Sequence, residues 1–487
     1  MVFAEQPSGG EQPASPSFTI TPPANWSWHE AHGVFHRDGT LSIDYGGTGC
    51  KPNVGPPCQV NGSVNSRCDL ITVSRGLPGH GTFRRESESG SMRYYSPDNA
   101  SDPRTHYAGT YIRDFFYTFS MAPDILPAAD ISNTLDYFFS GQDRSTGSVS
   151  EGGTPPNRPI NAVNCWDEGP FLALAAAKYA TLFGDYAWLC GEHPAGGGRV
   201  QRLQQALQFL NVPSGKPNLV VAPTPHCMYG FTDMEPKQGH VLFTSLLVVQ
   251  AGFALSAAID AAAAKEAAGC TRGMSAWFED LATTINASIA DGFLDDHRPG
   301  GSGLLLATDS AGHNSLPDVW GSGLAVAIGA GTDAQRATLA RTLAENADSF
   351  MRWGQARHLP LPLCWQVAGV QHPGAANTNQ CTETGKEGWC RGEPCGSYQN
   401  GGFWATPLGW LLPAIASHNA TLAAELLRQV LDDFEEHGIN EAVNHDFVYS
   451  APAPTKGPKT YVGTMGYLAS AASVYSVIYE PIAPEVG

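Results

Sequence analysis

Positive charge is scarce in this chain. Of 487 residues, 28 are lysine or arginine and 46 are aspartate or glutamate, a formal net charge of −18. Nucleic acid and other polyphosphates need a basic face, so the charge balance argues against them as partners. Short CxxC pairs are missing, so the 11 cysteines do not read as structural zinc ligands. There is no glycine-rich phosphate loop, no metal triad and no nucleophilic serine or cysteine elbow. Neither a metal nor a cofactor is expected. The most apolar run, Val241 to Ala258, is interrupted by Thr244, Ser245, Gln250 and Ser256. It reads as a buried core helix and not as a membrane span. The opening MVFAEQPSGG lacks the basic and apolar segments of a signal peptide. Strong βαβ alternation is absent too, which argues against a parallel α/β fold.

What is present is a globular composition, 42% hydrophobic and 10% aromatic, with 54 glycines and 36 prolines that imply many shaped loops. Cys50, Cys58 and Cys68 share one loop-rich stretch. Cys364, Cys381, Cys390 and Cys395 share another, and two disulfides stapling residues 364–395 are expected there. The odd total leaves at least one thiol free or paired between chains. Sequons at Asn25, Asn61, Asn99, Asn286 and Asn419 agree with a secretory route, so a secreted or secretory-lumen location is expected.

Residues 1–24 are rich in proline and serine and read as a flexible arm. Residues 25–105 form an irregular, turn-rich, partly β lead-in with short alternating pieces such as GTLSIDY (39–45). From about residue 106 to 480 the pattern becomes helical, in two alternating styles. One is apolar nearly all round: 109–122, 169–184, 238–258, 319–330 and 401–416, with a sixth candidate at 460–480. The other is amphipathic. Thr332 and Gln335 make a capping box for one such helix, and Leu422, Leu426, Val430 and Phe434 stripe another. Helices apolar all round belong inside, and striped helices belong on the outer wall. Six inner helices wrapped by outer ones make an all-α, (α/α)6 barrel. A helical solenoid would show a short fixed repeat, and the spacing here is irregular.

Polar and aromatic residues gather where the inner helices begin. They lie in YIRD (111–114), NCWDEGP (164–170), MYGFTDMEPKQG (228–239), LPDVWGSG (316–323), SYQNGG (397–402) and GINEAVNHD (438–446). In such a barrel these six stretches converge on one end. Flat aromatic faces beside amides and hydroxyls suit a sugar ring, whose C–H faces pack on rings while its hydroxyls demand paired donors and acceptors.

The serial layout resembles the six-hairpin glycosidases, the group that includes glucoamylases, trehalases and processing α-glucosidases. The resemblance rests on Arg113-Asp114, Asp167-Glu168-Gly169-Pro170, Asp233, Pro317-Asp318-Val319-Trp320-Gly321, Tyr398-Gln399-Asn400-Gly401-Gly402 and Asn440-Glu441, and covers residues 105–480. It implies inverting hydrolysis of an oligo- or polysaccharide by two carboxyl groups. By position, the general acid is Asp233, with Glu235 as its substitute, and the general base is Glu441. An inverting pair stands roughly 6.5–9.5 Å apart to admit water, and a greasy wall such as Phe231, Trp166 and Trp404 would raise the acid's pKa. Tyr111, Arg113, Asp114, Trp166, Asp167, Asp318, Trp320, Tyr398, Gln399, Asn400 and Trp404 are the substrate-binding candidates. Plainer roles stand beside these. Arg113-Asp114 reads equally as a local ion pair, Asp167 or Asp318 as helix caps, and Trp320 as core. Ala442 and Val443 depart from the aromatic residue that many relatives carry after the base. Two other classes remain on the same barrel. One is a polysaccharide lyase or sugar epimerase working through His226, His240, His313 or His445. The other is a non-catalytic carbohydrate-binding barrel. The expected partner in every case is a carbohydrate; oligomeric state is not legible.

Overall fold

The computed structural model describes residues 110–123, 128–153, 166–210, 212, 218–226, 237–271, 273–295, 302–309, 311–312, 314–365, 396, 398–437, 439–448, 455–465 and 467–479. It also describes the short strands Ser17–Ile20, Ala31–Phe35, Leu41–Tyr45, Phe83–Glu86 and Met92–Tyr95. The first three strands form an antiparallel sheet, and the last two form a hairpin whose second strand lies against a helix of the main body.

Helices build that main body. In chain order they are α1 (Ile112–Met121), α2 (Ala128–Gly141), α3 (Glu168–Phe183), α4 (Tyr186–Cys190), α5 (Arg199–Gln208), α6 (Leu242–Ala264) and α7 (Ala276–Asn286). They continue with α8 (Ile289–Phe293), α9 (Val319–Ala327), α10 (Asp333–Glu345), α11 (Leu408–Ala416), α12 (Ala420–His437) and α13 (Leu468–Tyr479). Six of them form a closed ring. α1 packs on α3, α3 on α6, α6 on α9, α9 on α11, α11 on α13, and α13 returns to α1. The reason is compositional. Ile112, Phe115, Phe119, Leu172, Leu246, Val248 and Trp410 are buried on several sides of these helices, which therefore belong inside over most of their lengths. α6, with 23 residues, is among the described residues the one helix long and apolar enough to cross a membrane, and 78% of its apolar window is buried in this ring.

The other helices form the outer wall. α2, α4 and α5 cover α3; α7 and α8 cover α6; α10 covers α9 and α11; α12 covers α11. Their buried residues follow one stripe, as with Leu426, Val430 and Phe434 of α12 and Phe278, Ala282 and Ile285 of α7. α10 begins with the expected capping box, Thr332 Oγ1 accepting from Gln335 N at 3.3 Å and Gln335 Oε1 accepting from Thr332 N at 2.8 Å. A disulfide between Cys190 and Cys270 joins the end of α4 to the loop after α6. Nothing in the spacing of these two residues announced it. Cys364 is also disulfide-bonded, while Cys381, Cys390 and Cys395 lie outside the described residues.

One expected element differs. The sixth inner helix begins only at Leu468, and Thr455–Met465 is instead a strand pairing antiparallel with Asn440–Val448. Thr460, Val462 and Thr464 alternate with period two and are β-branched or hydroxylated, which favours a pleated strand over a helix. The stretch around Glu441 is therefore strand and not loop. Smaller hairpins, Thr110–Tyr111 with Gly152–Gly153 and Val221–His226 with Lys237–His240, stand at the starts of α1 and α6.

Inner and outer helices approach closely at Gly252 of α6, where an added Cβ would lie 2.6 Å from the carbonyl oxygen of Phe278 and 2.8 Å from Cβ of Ala282. Gly252→Ala should lower unfolding stability by about 1–3 kcal/mol, the usual cost of overpacking, although alanine favours a helix. Denaturant unfolding measures it; a more stable variant would show that α6 and α7 can separate freely.

Candidate active site

The first residues of the inner helices bring charge to one end of the ring. Arg113 opens α1, and its Nη2 donates to Asp167 Oδ1 at 3.2 Å and to Glu168 Oε1 at 3.2 Å, both at the start of α3. The arginine thus reaches across to the next inner helix. Asp167 stands at the N-terminus of α3 without capping it through its side chain. Asp114 accepts a very short hydrogen bond from the hydroxyl of Tyr467, which immediately precedes α13. Both carboxyls of the Asp167-Glu168 pair are fully buried.

Glu168 is strongly affected by this setting. Burial pushes its pKa well above the usual glutamate range; Arg113 opposes the shift, and Asp167, Glu151 and Asp114 add to it. Its Oε2 has no hydrogen-bond partner among the described residues. Burial thus favours the protonated form of Glu168. It belongs to the Asp-Glu-Gly-Pro motif, but the apolar helix that follows gave no sign that burial would shift this carboxyl so strongly.

Glu441 lies on the strand Asn440–Val448 and is 2% exposed. Its Oε1 accepts from the Tyr398 hydroxyl at 2.6 Å. Tyr398 is itself held at both backbone ends. Its N–H donates to Asn444 Oδ1 at 2.6 Å, and its carbonyl accepts from Trp404 Nε1 at 3.1 Å. Its φ of 39° lies in the left-handed region that a side chain normally avoids, so the surrounding bonds over-determine the position. Gly401 follows at φ 106°, and a Cβ there would lie 2.2 Å from Arg357 Nη2. Only glycine fits beside that arginine, whose Nε donates to the Gly401 carbonyl at 2.8 Å. Phe403 and Val443 exchange two backbone hydrogen bonds, of 2.9 and 2.8 Å, tying this turn to the Glu441 strand. Burial raises the Tyr467 hydroxyl's pKa, and the nearby Asp114 and Glu441 raise it further. Asp114, Tyr467, Glu441 and Tyr398 thus form one electrostatic group.

A second cluster surrounds the start of α9. Asp318 caps that helix, its Oδ1 accepting from Gly321 N at 2.7 Å, and lies 2.9 Å from His358 Nε2. Burial lowers the His358 pKa against the pull of Asp318. The His358 ring stacks on Trp320 at 4.5 Å, and Trp320 meets Trp404 edge-on at 6.2 Å. Trp320 and Trp404 are 1% and 2% exposed, so protein covers both rings. Asn400 Oδ1 accepts from Trp365 N at 2.7 Å, and the Gln399 carbonyl accepts from Trp365 Nε1 at 3.1 Å. These two residues bind the 398–402 turn to the segment after Cys364. Lys237 stands 5.0 Å above the Trp365 ring. His358, Trp365, Arg357 and Tyr467 lie outside the motifs at the helix starts, and Lys237, inside MYGFTDMEPKQG, carried no signal that set it apart there.

Of the remaining candidates, Trp166 stacks on Phe209 at 5.0 Å beside α3, and Tyr111 is half-buried in the small hairpin before α1. His240 Nδ1 lies 2.5 Å from Asp309 Oδ2 just ahead of α6. Phe231, Asp233 and Glu235 lie outside the described residues. Among the described residues, no group of three His, Cys, Asp or Glu side chains could hold a metal.

The raised Glu168 pKa has a testable sign. A carboxyl whose folded pKa exceeds its unfolded value stabilises the fold below the unfolded pKa, and this is lost as pH rises towards the folded one. Glu168→Gln keeps an acceptor for Arg113 and removes the titration. Its stability should gain on that of the unmodified protein as pH rises above the usual glutamate range. Denaturation midpoints at three pH values between about 4.5 and 7.5 measure this, and a constant difference between the two proteins would contradict it.

No protein-family model and no curated protein sequence matches the chain. Solved structures do. An uncharacterized conserved protein from Thermus thermophilus is 12% identical, covering 78% of this chain and 95% of its own, with a TM-score of 0.46. A rhamnosidase from Klebsiella oxytoca is 11% identical over 76% of this chain and 58% of its own, with a TM-score of 0.47. A cellobiose 2-epimerase from Spirochaeta thermophila is 13% identical over 83% of this chain and 91% of its own, at 0.44. At such identities and TM-scores these likenesses carry nothing about reaction or substrate. The fold stands on the chain's own helix packing: its closed ring of six inner helices makes it an (α/α)6 barrel, the fold that its resemblance to the six-hairpin glycosidases implies.

Proposed function

We propose that this chain is a carbohydrate-active enzyme, a glycoside hydrolase that inverts the anomeric centre with two carboxyl groups. The observation that supports it is Glu441, a buried carboxylate with a 2.6 Å hydrogen bond from Tyr398, grouped with Asp114 and Tyr467 at the end of the ring where Arg113 and Asp167 also lie. That hydrogen bond fixes the direction in which the carboxyl points, as a general base requires. In this reading Glu441 takes a proton from water as that water attacks the anomeric carbon. Asp233, or Glu235 in its place, gives a proton to the departing glycosidic oxygen. Arg113, Asp114 and Asp167 hold sugar hydroxyls. Secretion belongs to the same proposal, supported by the Cys190–Cys270 disulfide.

Glu441→Gln should lower turnover by about 10²–10⁴-fold on all substrates, the usual worth of general acid–base catalysis. Asp233→Asn should cost as much on natural oligosaccharides and much less on aryl glycosides, whose leaving group departs without a proton. A screen of oligosaccharides and aryl glycosides, with product anomers followed by NMR, checks both. Near-normal turnover by Glu441→Gln ends the assignment.

The His240–Asp309 pair favours a second reading, in which an imidazole backed by a carboxylate moves a proton on a sugar carbon, as an epimerase requires. Turnover in D2O separates the two. An epimerase of that kind incorporates deuterium at a sugar C–H, whereas a hydrolase leaves every C–H untouched.

A further inference from the structure

The ring is not filled along its whole axis. Beyond the charged helix starts, residues of all six inner helices line a cavity of about 540 Å³, within the range of small-molecule sites. Tyr117, stacked on Trp410 at 5.3 Å, belongs to its wall, and the Tyr117 hydroxyl lies in the field of Arg113 and Asp167. The aromatic pair therefore stands between the cavity and the charged site. Leu174, Leu247 and Leu324 continue an apolar wall, and Ala177, Ala254 and Ala257 leave the space that larger side chains would fill.

Two features give this space a chemical character. The lining contains no aspartate or glutamate and one cation, Lys178, which has no ion-pair or hydrogen-bond partner among the described residues. In a chain of net charge −18, a half-buried lysine facing an apolar space without a counter-ion is conspicuous. Thr181 stands one helical turn from it on the same face and also lines the cavity. The second feature is exposed apolar surface next in sequence to the lining. Leu182 follows Thr181 at the end of α3, and Phe253 precedes Ala254 on the adjacent α6; both are exposed. Exposed apolar side chains of this kind often accompany sites for apolar ligands.

We propose that this cavity binds an amphipathic monoanion, a single apolar chain ending in a carboxylate, with the chain among Leu174, Leu247 and Leu324 and the head on Lys178. The site is separate from the carboxyl cluster and does not depend on the reaction assigned to it. A bound chain would press on the Tyr117–Trp410 partition, which gives it a route to influence the charged side.

Calorimetry with sodium decanoate and with decanol tests the assignment on the full chain. Saturable one-to-one binding of decanoate is expected, at least tenfold tighter than decanol. Lys178→Glu should weaken decanoate at least tenfold, and Ala257→Trp should abolish binding of both compounds. Should Ala257→Trp fail to fold, as judged by circular dichroism, Lys178→Glu on the half-buried side chain decides alone. No saturable binding by the unmodified protein overturns the proposal, and so does decanoate binding that Lys178→Glu leaves unchanged.

Discussion

Everything in this molecule depends on α13 reaching α1. Five inner helices laid side by side would leave apolar faces of α1 and α11 open to water; the sixth covers both and closes the ring. Closure also assembles the charged end. Tyr467 stands at the start of α13 and donates to Asp114 on α1, so residues 353 apart in sequence are bonded only when the ring is shut. The hairpin carrying Glu441 ends at Met465, two residues before Tyr467. Stability and the candidate site therefore share one interaction.

The charged end illustrates how a dry interior manages ionisable groups. Arg113 faces two fully buried carboxyls, and burying both as anions beside one cation would leave excess charge in a poorly polarisable medium. Burial accordingly raises the pKa of Glu168, against the pull of Arg113. Glu441 keeps company of another kind, a short phenolic donor in Tyr398, whose strained backbone is clamped by Asn444 and Trp404. Rigid positioning of a carboxylate by residues that do not themselves react is what general acid–base chemistry needs. Around α9 the same residue types serve packing. Asp318 caps its helix, and Trp320 and His358 stack in the core.

Much of the fold was legible from residue patterns. The apolar helices around 112–121, 168–183, 242–264 and 319–327 lie where hydrophobicity on all faces puts them, and the stripe on α12 marks the outer wall. Two helix starts depart from the pattern. Residues 460–465 carry an alternating β pattern that sits directly before an apolar helix, and the two merge into one apolar run unless the period is examined. The same merging hides the late start of α11 at Leu408, where residues 401–407 are turn and bridge.

The sequence by itself determined which helices are inside, roughly where they begin, and which polar motifs those beginnings carry. That information is local: burial and capping act within a few turns, and neighbouring residues report them. It determined nothing about partners across the ring. That Arg113 would hold Asp167 and Glu168, that Tyr398 would meet Glu441, that Asn400 would serve Trp365, and that Cys190 would find Cys270 were decided by tertiary structure. So were the donors that Asp167 and Asp318 meet: both precede an inner helix, yet Asp167 meets Arg113 while Asp318 caps α9. A closed ring makes neighbours of residues hundreds of positions apart, and a side chain's protonation follows from those neighbours and from the water they exclude.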